Sequence, residues 1–203
     1  MLQQTQVDRV KDFYQNFLER FPTVKDLSSA PLEDVLKAWD GLGYYNRARN
    51  LHKATKIICE QYDGKFPQTV GALADLPGIG KYTAGAIVSF AFVRPAPILD
   101  TNVKRVLERI FVKRKHSSPA KQEKRLWRLA SEVITPQTVW EINQALMDFG
   151  AQICSAKKPK CSICPMRSFC VFNESNRSPQ IEIEYDTKPA PVRKAAEPYI
   201  PYK

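Results

Sequence analysis

No apolar run in the 203 residues approaches the ~20 that a membrane-spanning helix needs. Apart from Ile181–Tyr185, no stretch alternates polar and apolar residues as a half-buried strand does, and no segment repeats itself. These absences leave an all-α fold and exclude a solenoid. Histidine is scarce: His52 stands alone and reads as surface, and His116, in a basic loop, suggests no chemistry. Acid is short as well, with 21 Asp and Glu against 31 Lys and Arg and a net charge of +10. That excess favours a polyanionic partner, with a membrane surface as the competing reading. No signal-peptide pattern is visible, so a reducing interior is expected. There the five cysteines serve a metal better than disulfides.

What the chain does have is helical periodicity. Residues 2–19 set Val7, Val10, Phe13, Tyr14, Phe17 and Leu18 on one face at spacings of three and four. Pro31 suits the first turn of a helix that runs to Asp40, and Gly41 stops it. Residues 46–62 turn Leu51, Ala54, Ile58 and Tyr62 inward, with Cys59 beside them as core. Further helices are expected near 102–112, 121–134 and 138–152, the last two with Trp127 and Trp140 as packing anchors. After Asn176 the chain turns to Lys188, Pro189, Pro191 and Pro198, the composition of a linker.

Four stretches carry chemistry. In Leu76–Ile87 a helix should stop before Pro77, Gly78 and Gly80 should make a turn that bulkier residues could not, and a second helix should open near Lys81. Free N–H groups at that helix start, with a lysine beside them, suit a phosphate; the plainer reading is a corner of an all-α core. Asp100 follows Pro95 and Pro97 on a stiff connector. Alone it reads as the cap of the next helix. Beside the hairpin it reads as a fixed negative charge facing a sugar whose bond to its base is breaking. Gly41-Leu42-Gly43-Tyr44-Tyr45 joins a loose backbone to two aromatics, with Arg47 and Arg49 behind. Such a pair is either core or a platform for unstacked bases. Finally, Cys154, Cys161, Cys164 and Cys170 give C-x6-C-x2-C-x5-C. A zinc ribbon pairs two C-x2-C knuckles and only one is present, so the spacing fits a [4Fe–4S] cluster better. Lys157, Lys158, Lys160 and Arg167 make this loop basic, as a solvated face or as a phosphate clamp.

Leu76–Ile87, Ile98–Val106 and the cysteine array together resemble the MutY family of adenine DNA glycosylases, in the helix-hairpin-helix superfamily that includes endonuclease III. The likeness runs from Met1 to about Asn176. It implies an all-α helix-hairpin-helix glycosylase fold: a helical-barrel-like domain over 1–94, an iron–sulfur cluster domain over 95–176, and a linker or tail over 177–203. It implies a monomer that hydrolyses the N-glycosidic bond of adenine opposite 8-oxoguanine or guanine in double-stranded DNA. Such a protein works in the bacterial cytoplasm at the nucleoid, or in a nucleus, without a membrane partner.

By the same resemblance, Gln4 wedges into the duplex, Thr5 and Leu42 meet the oxidised guanine, and Tyr44 intercalates beside it. Gly78, Gly80 and Lys81 grip the backbone. Asp100 stabilises the sugar cation, Asn102 orients it, Tyr82 adds a hydroxyl, and Gln144 hydrogen-bonds the flipped adenine. The four cysteines hold the cluster, whose task is to fold its loop. The family places its acid, a glutamate, two residues before the position of Met1, and a carboxy-terminal domain reads 8-oxoguanine. For these 203 residues alone the expectation is therefore DNA binding with very poor adenine release. Thr101 replaces the glycine usual between the Asp and the Asn. A nicking enzyme of the endonuclease III type needs a lysine where Tyr82 stands, and tyrosine cannot form a Schiff base. A thymine-mismatch glycosylase, which can share the tyrosine, and a non-catalytic DNA-binding module are the other readings.

Overall fold

The computed structural model describes residues 1–3, 5–114, 116 and 118–175. Gln4 and the expected tail at 177–203 lie outside the described residues. Among the described residues all regular structure is helical. The elements are α1 (Val7–Arg20), α2 (Val24–Ser29), α3 (Leu32–Ala38), α4 (Asn46–Tyr62), α5 (Val70–Ala74), α6 (Lys81–Ala86), α7 (Thr101–Phe111), α8 (Pro119–Glu132), α9 (Val139–Gln152) and α10 (Val171–Ser175). No helix is long and apolar enough to cross a membrane among the described residues.

Local chemistry sets these bounds. Thr23 and Asp26 form a reciprocal capping box on α2, which satisfies two otherwise orphaned N–H groups. Asp63, in the left-handed region, ends α4. Ser118 caps α8, with Pro119 in its first turn. The buried residues gather into a sequence of packed groups. Val10, Phe17, Val35 and Trp39 form the first, and Ile58, Leu73, Leu76, Ala84 and Ala96 the second. Helix α7 then divides its apolar face: Val103 and Leu107 join Ile98 and Leu126, while Val106 and Ile110 pack with Cys154.

Three expectations need correction. The apolar face of α1 is split, because its packing against α3 covers only one line of it: Val10 and Phe17 are buried, whereas Val7, Tyr14 and Leu18 are exposed. His52 is buried, not on the surface. It lies where α4 packs on α2, and its Nε2 is 3.0 Å from the Ala30 carbonyl oxygen. Trp140 is half-exposed, meeting Phe90 edge-on at 6.1 Å.

The connector that delivers Asp100 is clamped from two sides. After α6 the chain widens into a π-helical turn, Ile87–Ala91, and then passes through Val93 at φ 50°. Pro97 crosses α6 at Gly85, where a Cβ would lie 2.4 Å from the Pro97 carbonyl oxygen. From α9, the fully buried Asn143 donates to Ser89 Oγ at 2.8 Å and to the Ala96 carbonyl at 2.9 Å.

Candidate functional site

Asp100 is the N-cap of α7. Its Oδ1 accepts from the Val103 N–H at 2.7 Å, and its Oδ2 accepts from Asn102 Nδ2 at 3.3 Å. Both oxygens are thus held, and a carboxylate with about four lone-pair sites still has acceptor capacity to spare. Asn102 is fixed in turn: Arg105 Nη2 donates to its Oδ1 at 2.8 Å. The Arg105 guanidinium also reaches the Gly150 carbonyl at 2.5 Å and the Cys154 carbonyl at 2.8 Å. Helix α9 comes this close because position 150 has no side chain; a Cβ there would lie 2.7 Å from Asn102 Cβ.

Tyr82 stands on the first turn of α6, with its hydroxyl 4.0 Å from Met147 Sδ. Burial, and secondly the Asp100 charge, push its phenol above the usual range. Gln144 is half-buried on α9, where its amide donates to Asp148 Oδ2 at 3.1 Å. The structure therefore brings Asp100, Asn102 and Tyr82 into one neighbourhood.

The hairpin departs from expectation at one glycine. Gly78 has φ 78°, and a Cβ there would come within 2.8 Å of Asn50, so only glycine fits. Gly80 has φ −84° and nothing within 4 Å; the backbone does not require a glycine there. The first N–H groups of α6 have no partner within the helix. Lys81 lies over the face of Trp127 from α8, with Nζ 4.0 Å from the ring centre. Trp127 is thus a neighbour of the hairpin as well as a packing residue.

The other predicted contacts divide. Tyr44 is 62% exposed and holds φ 49°. Thr5 accepts from Arg47 Nη2 at 3.1 Å. The Leu42 side chain is buried in the first core and does not face the surface. Gln4 lies outside the described residues.

Cys154, Cys161, Cys164 and Cys170 line one cavity, together with Arg109, Phe149 and Phe172. None is in a disulfide. Burial pushes the Cys164 thiol up, and the neighbouring Cys170, Cys154 and Cys161 sulfurs add to the rise. Sulfurs crowded in this way need cationic charge among them to ionise together, which is what a metal cluster provides. Four sulfurs around one cavity match the four thiolate ligands of a [4Fe–4S] cluster. Arg109 secures the loop from α7, donating to the Ser155 and Ala156 carbonyls at 2.8 and 2.9 Å, and lies 3.5 Å from Cys154 Sγ. Sequence reading missed Arg105 and Arg109, for which the only signal was their spacing of four along α7; it noticed Arg47 as a cation behind the aromatic pair but not the carbonyls it holds.

Comparison with known proteins bears on the fold and on the cysteine loop. The pattern of the HhH-GPD superfamily base excision DNA repair proteins matches residues 1–132. That of the iron-sulfur binding domain of endonuclease III matches residues 154–170, beginning and ending on the outer cysteines. The chain has a [4Fe–4S] cluster site. It is 44% identical to an adenine DNA glycosylase of Buchnera aphidicola (subsp. Baizongia pistaciae) over 93% of its length. It is 42% identical to that of Homo sapiens over 84%. It covers 53% of the bacterial protein and 31% of the human one, so it spans about half the length of its bacterial relative. Among solved structures, a thermostable thymine-DNA glycosylase matches with a TM-score of 0.74 at 31% identity, over 86% of this chain and 80% of that one. Endonuclease III trapped in a covalent intermediate with DNA matches with a TM-score of 0.73 at 27% identity, over 86% and 81%.

Proposed function

The chain belongs to the HhH-GPD superfamily of base excision DNA repair proteins, and from that premise we propose that it is an adenine DNA glycosylase acting on adenine paired with 8-oxoguanine or guanine. The observation that carries this reading is the carboxylate of Asp100, held at both oxygens on a connector clamped by Gly85 and Asn143. A base must leave the stack before it can be cut, at a cost of a few kcal/mol. Once the adenine is protonated and departs, the sugar becomes positive. A preorganised carboxylate facing that charge is worth ~3 kcal/mol. Asn102 keeps the Asp100 carboxylate turned to the sugar, and Arg105 keeps Asn102. The Tyr82 phenol, pushed above its usual range, stays protonated at neutral pH and is a hydroxyl donor at the edge of the site. By the family resemblance, Gln144 on α9 would hydrogen-bond the flipped base. The hairpin at Gly78–Lys81 and the basic loop around Lys157, Lys158, Lys160 and Arg167 hold the DNA backbone. Cys154, Cys161, Cys164 and Cys170 hold the cluster, which when bound fixes that loop by four iron–sulfur bonds.

The reaction is hydrolytic, because a phenol at position 82 cannot form a Schiff base with the opened sugar. The likeness to a thymine-DNA glycosylase supports a second reading in which a G·T mispair is the substrate. Single-turnover assays separate the two. The cluster-loaded chain is expected to bind an A·8-oxoguanine duplex and to release its adenine only slowly, leaving an abasic site that breaks only in alkali. Asp100→Asn should slow release about 100-fold while DNA binding persists. Thymine release from G·T with none from A·8-oxoguanine, or a borohydride-trapped adduct, would overturn the proposal.

A further inference from the structure

Residues 93–100, which lead from the π turn to the Asp100 carboxylate, carry no regular structure. Backbone hydrogen bonding does little to hold them. The Arg94 N–H reaches the Val88 carbonyl at 3.1 Å, and Pro95 and Pro97 have no N–H to give. Val93 sits at φ 50°, in the left-handed region that a β-branched residue resists. Strain of this kind persists only where the surroundings hold it. Asn143 supplies a hold. It is 1% exposed, and its Nδ2 gives one N–H to Ser89 Oγ at 2.8 Å and the other to the Ala96 carbonyl at 2.9 Å.

Those two acceptors belong to different elements. Ser89 is fully buried in the π turn that continues α6, the helix of Tyr82. Ala96 lies between the two prolines of the connector. One amide therefore sets the helix that carries the phenol against the stretch that ends in Asp100. Gly150 stands seven residues on along α9, two helical turns away on the same face. It packs against Asn102, just past Asp100. Helix α9 thus meets the connector on either side of Asp100, at Ala96 and at Asn102. On the Asn102 side Arg105 adds bonds to the Asn102 side chain and the Gly150 carbonyl. On the Ala96 side the Asn143 amide acts together with the close contact of Pro97 on Gly85.

We propose that Asn143 is a positioning residue for the Asp100 carboxylate: it fixes how the connector lies against the helix of Tyr82 and, with Gly150, makes α9 the straight edge along which that connector is laid. Asn143 touches neither DNA nor the reacting atoms and acts only through the place it gives to Asp100. The inference rests on the glycosylase reading above for what the carboxylate faces, and deepens it.

The test reads position without needing a reaction. Alkaline absorbance titration of Tyr82 is run on the cluster-loaded wild-type protein, Asp100→Asn, Asn143→Leu and the double variant, each against its Tyr82→Phe counterpart. Asn143→Leu nearly keeps the side-chain volume and removes both donors. In the wild-type background Asp100→Asn lowers the phenol titration. In the Asn143→Leu background the same step is expected to be about half as large or less, because the coupling of two charges falls with their distance. A residue that only stabilised the fold would lower the denaturation midpoint and leave that step unchanged. If Asn143→Leu does not fold, Ser89→Ala, which removes one acceptor and keeps the Ala96 bond, should shrink the step in the same direction. An undiminished step in the folded variant overturns the proposal. A second arm measures binding to uncleavable duplexes with a protonated pyrrolidine or a neutral tetrahydrofuran at the target nucleotide. The variant should bind the tetrahydrofuran duplex as wild type does and lose about threefold or more of the wild-type preference for the pyrrolidine; a full preference would also overturn the proposal. Equal affinity of the wild-type protein for the two duplexes would overturn the glycosylase reading, while the titration, which needs no DNA, decides on Asn143 separately.

Discussion

Asp100 shows how one side chain answers two readings. As a lone residue before Thr-Asn-Val it looked like a helix cap, and it is one: Oδ1 takes the Val103 N–H. Capping is also what makes it useful, because a carboxylate tied to a helix N-terminus cannot swing away from the site. Its neighbour Tyr82 records its presence. Burial raises the phenol, and the Asp100 charge raises it further. A phenol is neutral when protonated, so a folded-state value above the unfolded one, about 10, means the native protein holds that proton more tightly. The resulting stability is complete below pH ~10 and is lost as pH rises through the higher folded-state value. Asp100→Asn should therefore lower the Tyr82 titration without returning it to 10, since burial remains. Alkaline absorbance titration, with Tyr82→Phe as the background, measures this. An unmoved phenol would separate the two groups in space.

At the scale of elements, local pattern was enough for most helices and for little of their joining. The three-four period placed α4 at its observed bounds, 46–62, because a helix that buries one stripe writes that stripe into the sequence. It overstated α1, since periodicity shows which residues share a face and not how wide a neighbour covers it. The π turn at Ile87–Ala91 left no signal, because its apolar residues suit an α-helix equally. The role of α7 was hidden for another reason: Arg105 and Arg109 find their acceptors in Gly150 and the 154–156 segment, contacts made only on folding. Gly150 is the tightest point of that joint. Gly150→Ala should destabilise the protein by about 1–3 kcal/mol, the usual cost of overpacking, as a Cβ 2.7 Å from Asn102 Cβ pushes α9 from α7. Gly71→Ala, in the open space of α5, should be neutral or slightly stabilising. Chemical denaturation of the two variants checks both, and equal stabilities would contradict the close packing.

In the whole molecule, the hairpin, the Asp100 connector and the cysteine loop come from separate stretches of chain and meet through α7 and α9. Their meeting was legible only as a constellation: none of the motifs alone excludes a bland reading, whereas a glycine hairpin, an aspartate at a fixed distance and a four-cysteine loop together do. What sequence could not supply was the mechanical continuity from the loop through Arg105 and Asn102 to Asp100, which depends on backbone carbonyls that every residue has. The central claim is that this continuity aims a negative charge at an extruded sugar. It is tested most directly by binding the cluster-loaded protein to two duplexes that differ only at the target nucleotide, a protonated pyrrolidine in one and a neutral tetrahydrofuran in the other. Tighter binding to the cationic duplex by about tenfold or more is predicted, with the difference abolished in Asp100→Asn; equal affinity of the wild-type protein for both, or a difference that survives in Asp100→Asn, would contradict it.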